Sequence, residues 1–331
     1  MPGRIWRVLA SLLLACEVCC FRGESAREQA AARGKLGARA SELPASTSEV
    51  VPAQVSSVRD PFDFDPRFFH EKRSAEPGDW LAEHHEDGQT FREFQHSSTL
   101  RPTAERRTIV LQPLGEFTEQ QRAVLVILQR ATTLYFGLAV EIAAVAPLPT
   151  RGRRIRHRDG QPLAQYLTRE ILASLSRGAP ERAIAYLGVT FQDLYPEPSW
   201  NFVFGEAELS ARVGVYSLLR FTPEFNHEAN DATAHQRFAR RAIQLVAHET
   251  GHIFGIQHCT AFECVMNGSN SLTESDRAPL EPCHECLHKL AFALRLQPLP
   301  RYRELARFYQ ELGLDHDAEW IKERSASLTA R

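Results

Sequence analysis

Apolar and polar positions between residues 108 and 221 form two kinds of run. Thr108-Ile109-Val110-Leu111-Gln112 is short and β-branched, which predicts a strand. Thr118 with Gln121 three residues on is a capping-box signal. The helix it starts is apolar through Leu128 and should stop before Gly137. Leu138 to Ala144 reads as a second strand, and the basic stretch Arg151 to Arg158 as a solvated loop. Leu163 to Leu175 has helical spacing closed by Gly178 and Pro180. Ala183 to Phe191 is a third strand, Trp200, Phe202 and Phe204 alternate as a fourth with one buried face, and Val213 to Phe221 is a fifth. Strands first alternate with helices and then follow one another directly. That order predicts an α/β fold with a mixed, mostly parallel five-stranded sheet.

Downstream, Phe238, Ala242, Leu245 and Val246 fall at i, i+4, i+7 and i+8 on an amphipathic helix from about Ala232 to Gly255. At the far end Leu305, Phe308, Tyr309 and Leu312 repeat that spacing, Gly313 stops the helix and Asp315 can cap another. Residues 301–331 therefore read as a C-terminal helical hairpin, a packing element or docking surface.

The chain has 331 residues, 43% hydrophobic and 24% charged, a globular composition long enough for about two domains. Its 39 Lys and Arg against 41 Asp and Glu give a net charge of −2, so bulk charge offers no reason to expect nucleic acid as a partner. No uncharged apolar run reaches the ~18 residues of a spanning helix. Residues 1–21 carry Arg4 and Arg7 before a short apolar run, Val8 to Ala15, as a secretory signal does. Leu13-Leu14-Ala15-Cys16 resembles a bacterial lipoprotein signal, which would anchor the chain to a membrane through a lipidated Cys16. The expectation is an exported or membrane-anchored protein, with a cytoplasmic one carrying an ordinary N-terminal tail as the alternative. Residues 22–60 are rich in Ala, Ser, Arg and Glu without aromatics, the composition of a disordered linker. Aromatics return at Phe62, Phe64, Phe68 and Phe69, and Pro77-Gly78-Asp79-Trp80-Leu81 is a turn into an apolar anchor. Residues 61–106 should wrap the surface of a main domain spanning 61–300.

His248-Glu249-Thr250-Gly251-His252 lies on the amphipathic helix. Histidines at i and i+4 share a helix face and can grip one metal, while Glu249 is turned toward a metal-bound water. Zinc lowers the pKa of such a water to about 7, and a nearby carboxylate takes its proton as it attacks a carbonyl. Gly255 and His258 extend the pattern to H-E-x-x-H-x-x-G-x-x-H. Gly255 can take φ > 0 and return the chain so that His258 reaches the same ion. Three imidazoles leave an open position for water, as catalytic zinc sites do. Gly251 costs about 1 kcal/mol against alanine inside a helix, which close approach of a neighbouring element would explain. Met266 fits the methionine turn of metzincins, or core filler.

Cys259, Cys264, Cys283 and Cys286 form two pairs, the second a C-x-x-C knuckle. Such spacing fits a closed four-thiolate structural zinc site. Two disulfides are the rival reading, which export would favour.

These residues, HETGHIFGIQHC with Cys264-Val265-Met266 and Cys283/Cys286, resemble the archaemetzincin family of zinc metallopeptidases. Residues 187–207, 212–221 and 77–94 resemble it too. The resemblance implies a metzincin-like fold around an active-site helix, with substrate pairing along an exposed edge strand, for which Trp200 to Phe204 is the candidate. It implies two zinc ions: a catalytic one held by His248, His252 and His258 with Glu249 as general base and acid, and a structural one held by Cys259, Cys264, Cys283 and Cys286. Many metzincins are kept latent by a cysteine or acidic residue on the zinc. Between Phe21 and His258 there is no cysteine, which leaves only an acidic residue in 61–106. The expected partner is a peptide or protein substrate, and the expected state a monomer. The competing reading is a zinc-containing peptide- or protein-binding module with little turnover.

Overall fold

The computed structural model describes residues 66–97 and 100–329. The signal-like segment, the linker, Cys16, Phe62 and Phe64 lie outside the described residues. In chain order the elements are α1 (Trp80–Glu83), α2 (Phe91–His96), β1 (Thr108–Leu114), α3 (Glu119–Phe136), β2 (Ala139–Ile142), β3 (Arg154–Arg158), β4 (Gln161–Leu167), α4 (Thr168–Gly178), β5 (Ala183–Thr190), β6 (Asp193–Tyr195), β7 (Gly205–Glu208), β8 (Val213–Ser217), α5 (Ala232–Ile253), α6 (Leu272–Arg277), α7 (His284–Leu294), α8 (Pro298–Glu311) and α9 (Asp315–Thr329).

The main sheet has five strands in the order β2-β1-β5-β8-β7. All neighbours run parallel except β7, which is antiparallel to β8 and forms an edge. Every residue of β5 is buried, as a parallel strand covered on both faces requires. Successive side chains divide between the faces. Ile109, Leu111, Leu187, Val189 and Tyr216 meet Leu128 of α3 and Val246 of α5 in one core cluster. Val110, Leu114, Tyr186, Val213 and Val215 meet Ile171, Leu172 and Leu175 of α4 in a second. The α3 start is the expected capping box between Thr118 and Gln121, and Gly137 ends the helix at φ 64°.

Three local expectations are corrected. The basic stretch is not a solvated loop: Arg154–Arg158 is strand β3 of a second, three-stranded sheet, β3-β4-β6. Arg154 spends its guanidinium on Gln165 Oε1 (2.9 Å), Pro198 O (3.2 Å) and Trp200 O (2.8 Å), clamping the 196–204 loop. The helix read over Leu163–Leu175 begins only at Thr168, because residues 161–167 pair with β3 on one side and β6 on the other. The fourth strand of the main sheet is Gly205–Glu208, not Trp200–Phe204. Trp200 is 43% exposed. Phe202 lies 3.6 Å beneath the Arg220 guanidinium and 5.2 Å from the Phe204 ring. The aromatic alternation thus comes from a loop cluster rather than a pleat, with only Val203 bridging to Leu194.

The C-terminal hairpin, α8 and α9, shares the main core, with Tyr302, Leu305, Phe308 and Tyr309 fully buried. Arg301 meets Glu281 at 2.6 Å with both side chains buried, and Arg240 of α5 holds Asp317 of α9 at 3.0 Å. The hairpin is a packing element of the fold. Among the described residues no helix is long and apolar enough to cross a membrane.

Candidate active site

Helix α5 is capped by Asp231, whose side chain accepts the Ala234 N–H, and it runs 22 residues to present His248, Glu249 and His252 at its far end. Gly255 follows at φ +87°. The Gly255 N–H bonds His252 O at 2.9 Å and the Ile256 N–H bonds Gly251 O at 3.1 Å, so the helix stops and the chain doubles back. That reversal carries His258 to the first two histidines. One ring nitrogen from each of His248, His252 and His258 lies within 4.8 Å of the others.

The far side of each ring is occupied. His248 Nδ1 meets Val265 O at 2.8 Å, His252 Nδ1 meets Ile256 O at 2.7 Å, and His258 Nδ1 meets the Glu86 oxygens at 2.9 and 3.0 Å. A carbonyl or carboxylate oxygen only accepts, so each Nδ1 carries the proton and each Nε2 keeps its lone pair. The Nε2 atoms of His248 and His252 then face each other at 3.0 Å. Two bare lone pairs at that distance repel, and a shared cation between them removes the conflict. Burial and the neighbouring imidazoles hold His248 well below the usual histidine range. Burial and His258 hold His252 at about 4. Both are therefore neutral at physiological pH, the state a metal ligand needs.

Glu249 is 8% exposed, and burial together with Glu206 pushes its carboxyl up to about 8. It lies flush against β7, where a methyl group on Gly205 would come within 2.9 Å of its carboxylate. The cleft in front of these groups has a volume of about 610 Å³; Trp80, Trp200, Gly205, Glu206 and Glu274 also line it.

Beneath the histidines, Met266 turns its sulfur onto Gly251. Cys259 N–H bonds Met266 O at 2.8 Å. Asn267 closes this turn: its amide donates to Cys259 O (2.6 Å) and Phe262 O (2.8 Å) and accepts from the Cys264 N–H (2.9 Å). The expected explanation for the mid-helix glycine is therefore the methionine turn itself.

Cys259, Cys264, Cys283 and Cys286 are all buried and free, with sulfurs within 4.8 Å of one another. Cys264 Sγ accepts backbone N–H bonds from Cys283 (3.2 Å) and Met266 (3.4 Å). Burial pushes the Cys264 thiol well up, whereas hydrogen bonding from the other three thiols pulls Cys259 well down. Four converging buried sulfurs with N–H donors around them suit a tetrahedral thiophilic ion, and no disulfide joins them.

Glu86, Asn267, Gly205 and Glu274 were not singled out from the sequence. Glu274 accepts the Trp80 and Asn270 N–H groups at 2.9 and 2.7 Å and so seats α1 beside the cleft. Gly205 had a readable signal, a glycine inside a strand, which marks close approach by another group. Trp200, expected on a pleated strand, instead rims the cleft from a loop.

The model of Peptidase family M54 matches residues 180–291. Archaemetzincin-2 of Homo sapiens is 30% identical over 266 residues, 72% of this chain and 74% of that protein. The archaemetzincin of Pyrococcus furiosus is 34% identical over 186 residues, 56% of this chain and 93% of that one. The crystal structure of archaemetzincin from Methanopyrus kandleri is 28% identical, covers 59% of this chain and 99% of its own, and superposes with a TM-score of 0.45. The chain belongs to the archaemetzincin family of zinc metallopeptidases.

Proposed function

We propose that the chain hydrolyses peptide bonds in the 610 Å³ cleft, with His248, His252 and His258 holding a catalytic zinc through Nε2. The observation that carries this is the set of three Nδ1–H groups already spent on Val265, Ile256 and Glu86, which turns three lone pairs toward one point. Zinc bound there supplies Lewis acidity, making water acidic enough to be deprotonated near neutrality and polarising the scissile carbonyl. Glu249 is the general base, taking the proton of the attacking water, and then the acid, returning it to the leaving amine. Burial raises the Glu249 carboxyl, which favours its taking up a proton, and the positive charge of a bound zinc would keep it ionised until it does so. The substrate backbone pairs with β7, the edge strand beside the cleft, so Gly205–Glu208 replaces Trp200–Phe204 in that role.

A second zinc in the Cys259, Cys264, Cys283 and Cys286 cluster is structural. It has four protein ligands and no open position, and Cys259 directly follows His258 in the chain. The Arg-flanked apolar segment ending at Cys16 supports export or lipid anchoring of the enzyme, which cell fractionation and lipid labelling of a Cys16→Ser variant test. For the chemistry, Glu249→Gln should abolish cleavage of a peptide library while both zinc ions stay bound. Persistent cleavage by that variant removes Glu249 from its role. A wild-type protein with full zinc and no cleavage supports the binding-module reading instead.

A further inference from the structure

The strap that precedes the main sheet, residues 66–97, reaches the third histidine from outside. Glu86 sets both carboxylate oxygens on His258 Nδ1, at 2.9 and 3.0 Å. The other two ligands rest on backbone carbonyls, which the turn around Val265 and Ile256 supplies automatically. His258 lies on the return segment after Gly255 rather than on helix α5, so its ring direction depends on what holds it.

The strap is held where this contact requires. Gln89 Nε2 donates to Gly255 O at 3.1 Å, and Gln89 Oε1 accepts the Gln257 N–H at 3.4 Å. Lys289, only 3% exposed on α7, donates its Nζ to Gln89 O. Gly88 lies at φ +77°, so close to Thr260 that a methyl group there would sit 2.4 Å from Oγ1. These contacts fasten residues 88 and 89 to the chain on both sides of His258, with Glu86 two residues ahead of them.

We infer that Glu86 is the positioning residue for His258: its carboxylate fixes the ring's tautomer and direction, and the strap is in this way part of the metal site. The inference rests on the three-histidine reading above. A carboxylate behind a ligating imidazole is the arrangement whose loss weakens metal affinity by about 10–100-fold. Bound at Nδ1, Glu86 leaves the other ring nitrogen, Nε2, for the ion, and it does not line the cleft, so it supports the ligand and does not compete with substrate. This acidic residue of the strap is therefore not a latency plug.

The test is a chelator titration of the zinc-loaded full chain, following release of each ion, in wild type, Glu86→Ala, Glu86→Gln and His248→Ala. Zinc in the thiolate cluster is the internal reference. Glu86→Ala should release the histidine-site zinc at about 10–100-fold lower chelator strength. Glu86→Gln keeps an acceptor oxygen and should fall between alanine and wild type. Release from the thiolates should not move. With ¹¹³Cd in place of zinc, only the histidine-site resonance should shift in the Glu86 variants. An unchanged release point in both Glu86 variants, with two ions bound in wild type, overturns the role of Glu86 alone. One ion in wild type, and the same one in His248→Ala, overturns the three-histidine reading and this inference with it. If the alanine variant melts early, the near-isosteric glutamine variant decides.

Discussion

The sulfur of Met266 rests on the bare Cα of Gly251: a methyl group built there would lie 2.5 Å from Sδ. The two residues lock the methionine turn to the helix between two candidate ligands, His248 and His252. Gly251→Ala gains about 1 kcal/mol of helix propensity. It must also push aside a buried thioether in a filled core, which costs about 1–3 kcal/mol. Overpacking wins, and the melting temperature should fall. A Gly251→Ala/Met266→Ala double variant should lose less than the sum of the singles, and a double-mutant cycle on urea unfolding measures the difference.

Gly205→Ala probes the other wall. Its new methyl group would come within 2.9 Å of the Glu249 carboxylate. Displacing a catalytic group by about 1 Å can cost about 100-fold in rate. Peptide cleavage should drop by about that factor with zinc content unchanged, and steady-state kinetics beside metal analysis will show whether it does.

Removing the thiolate site should affect much more than one ion. Zinc held by such a cluster contributes about 10–16 kcal/mol in small domains, comparable with the whole stability of a typical protein, about 5–15 kcal/mol. The Cys283→Ser/Cys286→Ser variant should bind one zinc fewer and lose its cooperative melting transition. Calorimetry of that variant, showing a melting curve like wild type, would remove the structural role.

Arg301 and Glu281 form a buried pair at 2.6 Å, and Tyr309 donates its hydroxyl to the same carboxylate at 2.8 Å. Burial pushes the Glu281 carboxyl up, so it depends on that partner for its charge. Arg301→Met strands the carboxylate and should destabilise by about 3–5 kcal/mol. Adding Glu281→Gln should recover part of the loss, which denaturant unfolding can read directly.

The candidate metal ligands are legible because their geometry is local. His252 follows His248 four positions later on the same helix, and a glycine just past the helix end returns His258. The mostly parallel character of the main sheet is legible for a similar reason: β5 is a continuous apolar run, the pattern of a strand covered on both faces. What sequence hid depended on distant partners. Glu86 stands 172 residues before His258, among Glu83, His84, His85 and Asp87, and only the path of the strap selects it. Strand β3 shows no apolar alternation because most of its residues are exposed. Its pairing partner β4 was absorbed into the next helix because Leu163, Tyr166 and Leu167 happen to continue the helical spacing. The aromatic alternation at 200–204 imitates a pleat, while Arg154 and Arg220, both remote in sequence, shape it as a loop.

The tail of the chain sits in the same interior as the helix that carries His248 and His252, through Tyr302, Leu305, Phe308 and Tyr309. It cannot be trimmed away to give a minimal protease. A version ending at residue 300 would turn a greasy wall outward and would clump before it met a substrate, so anyone expressing this enzyme needs its last two helices as much as its histidines.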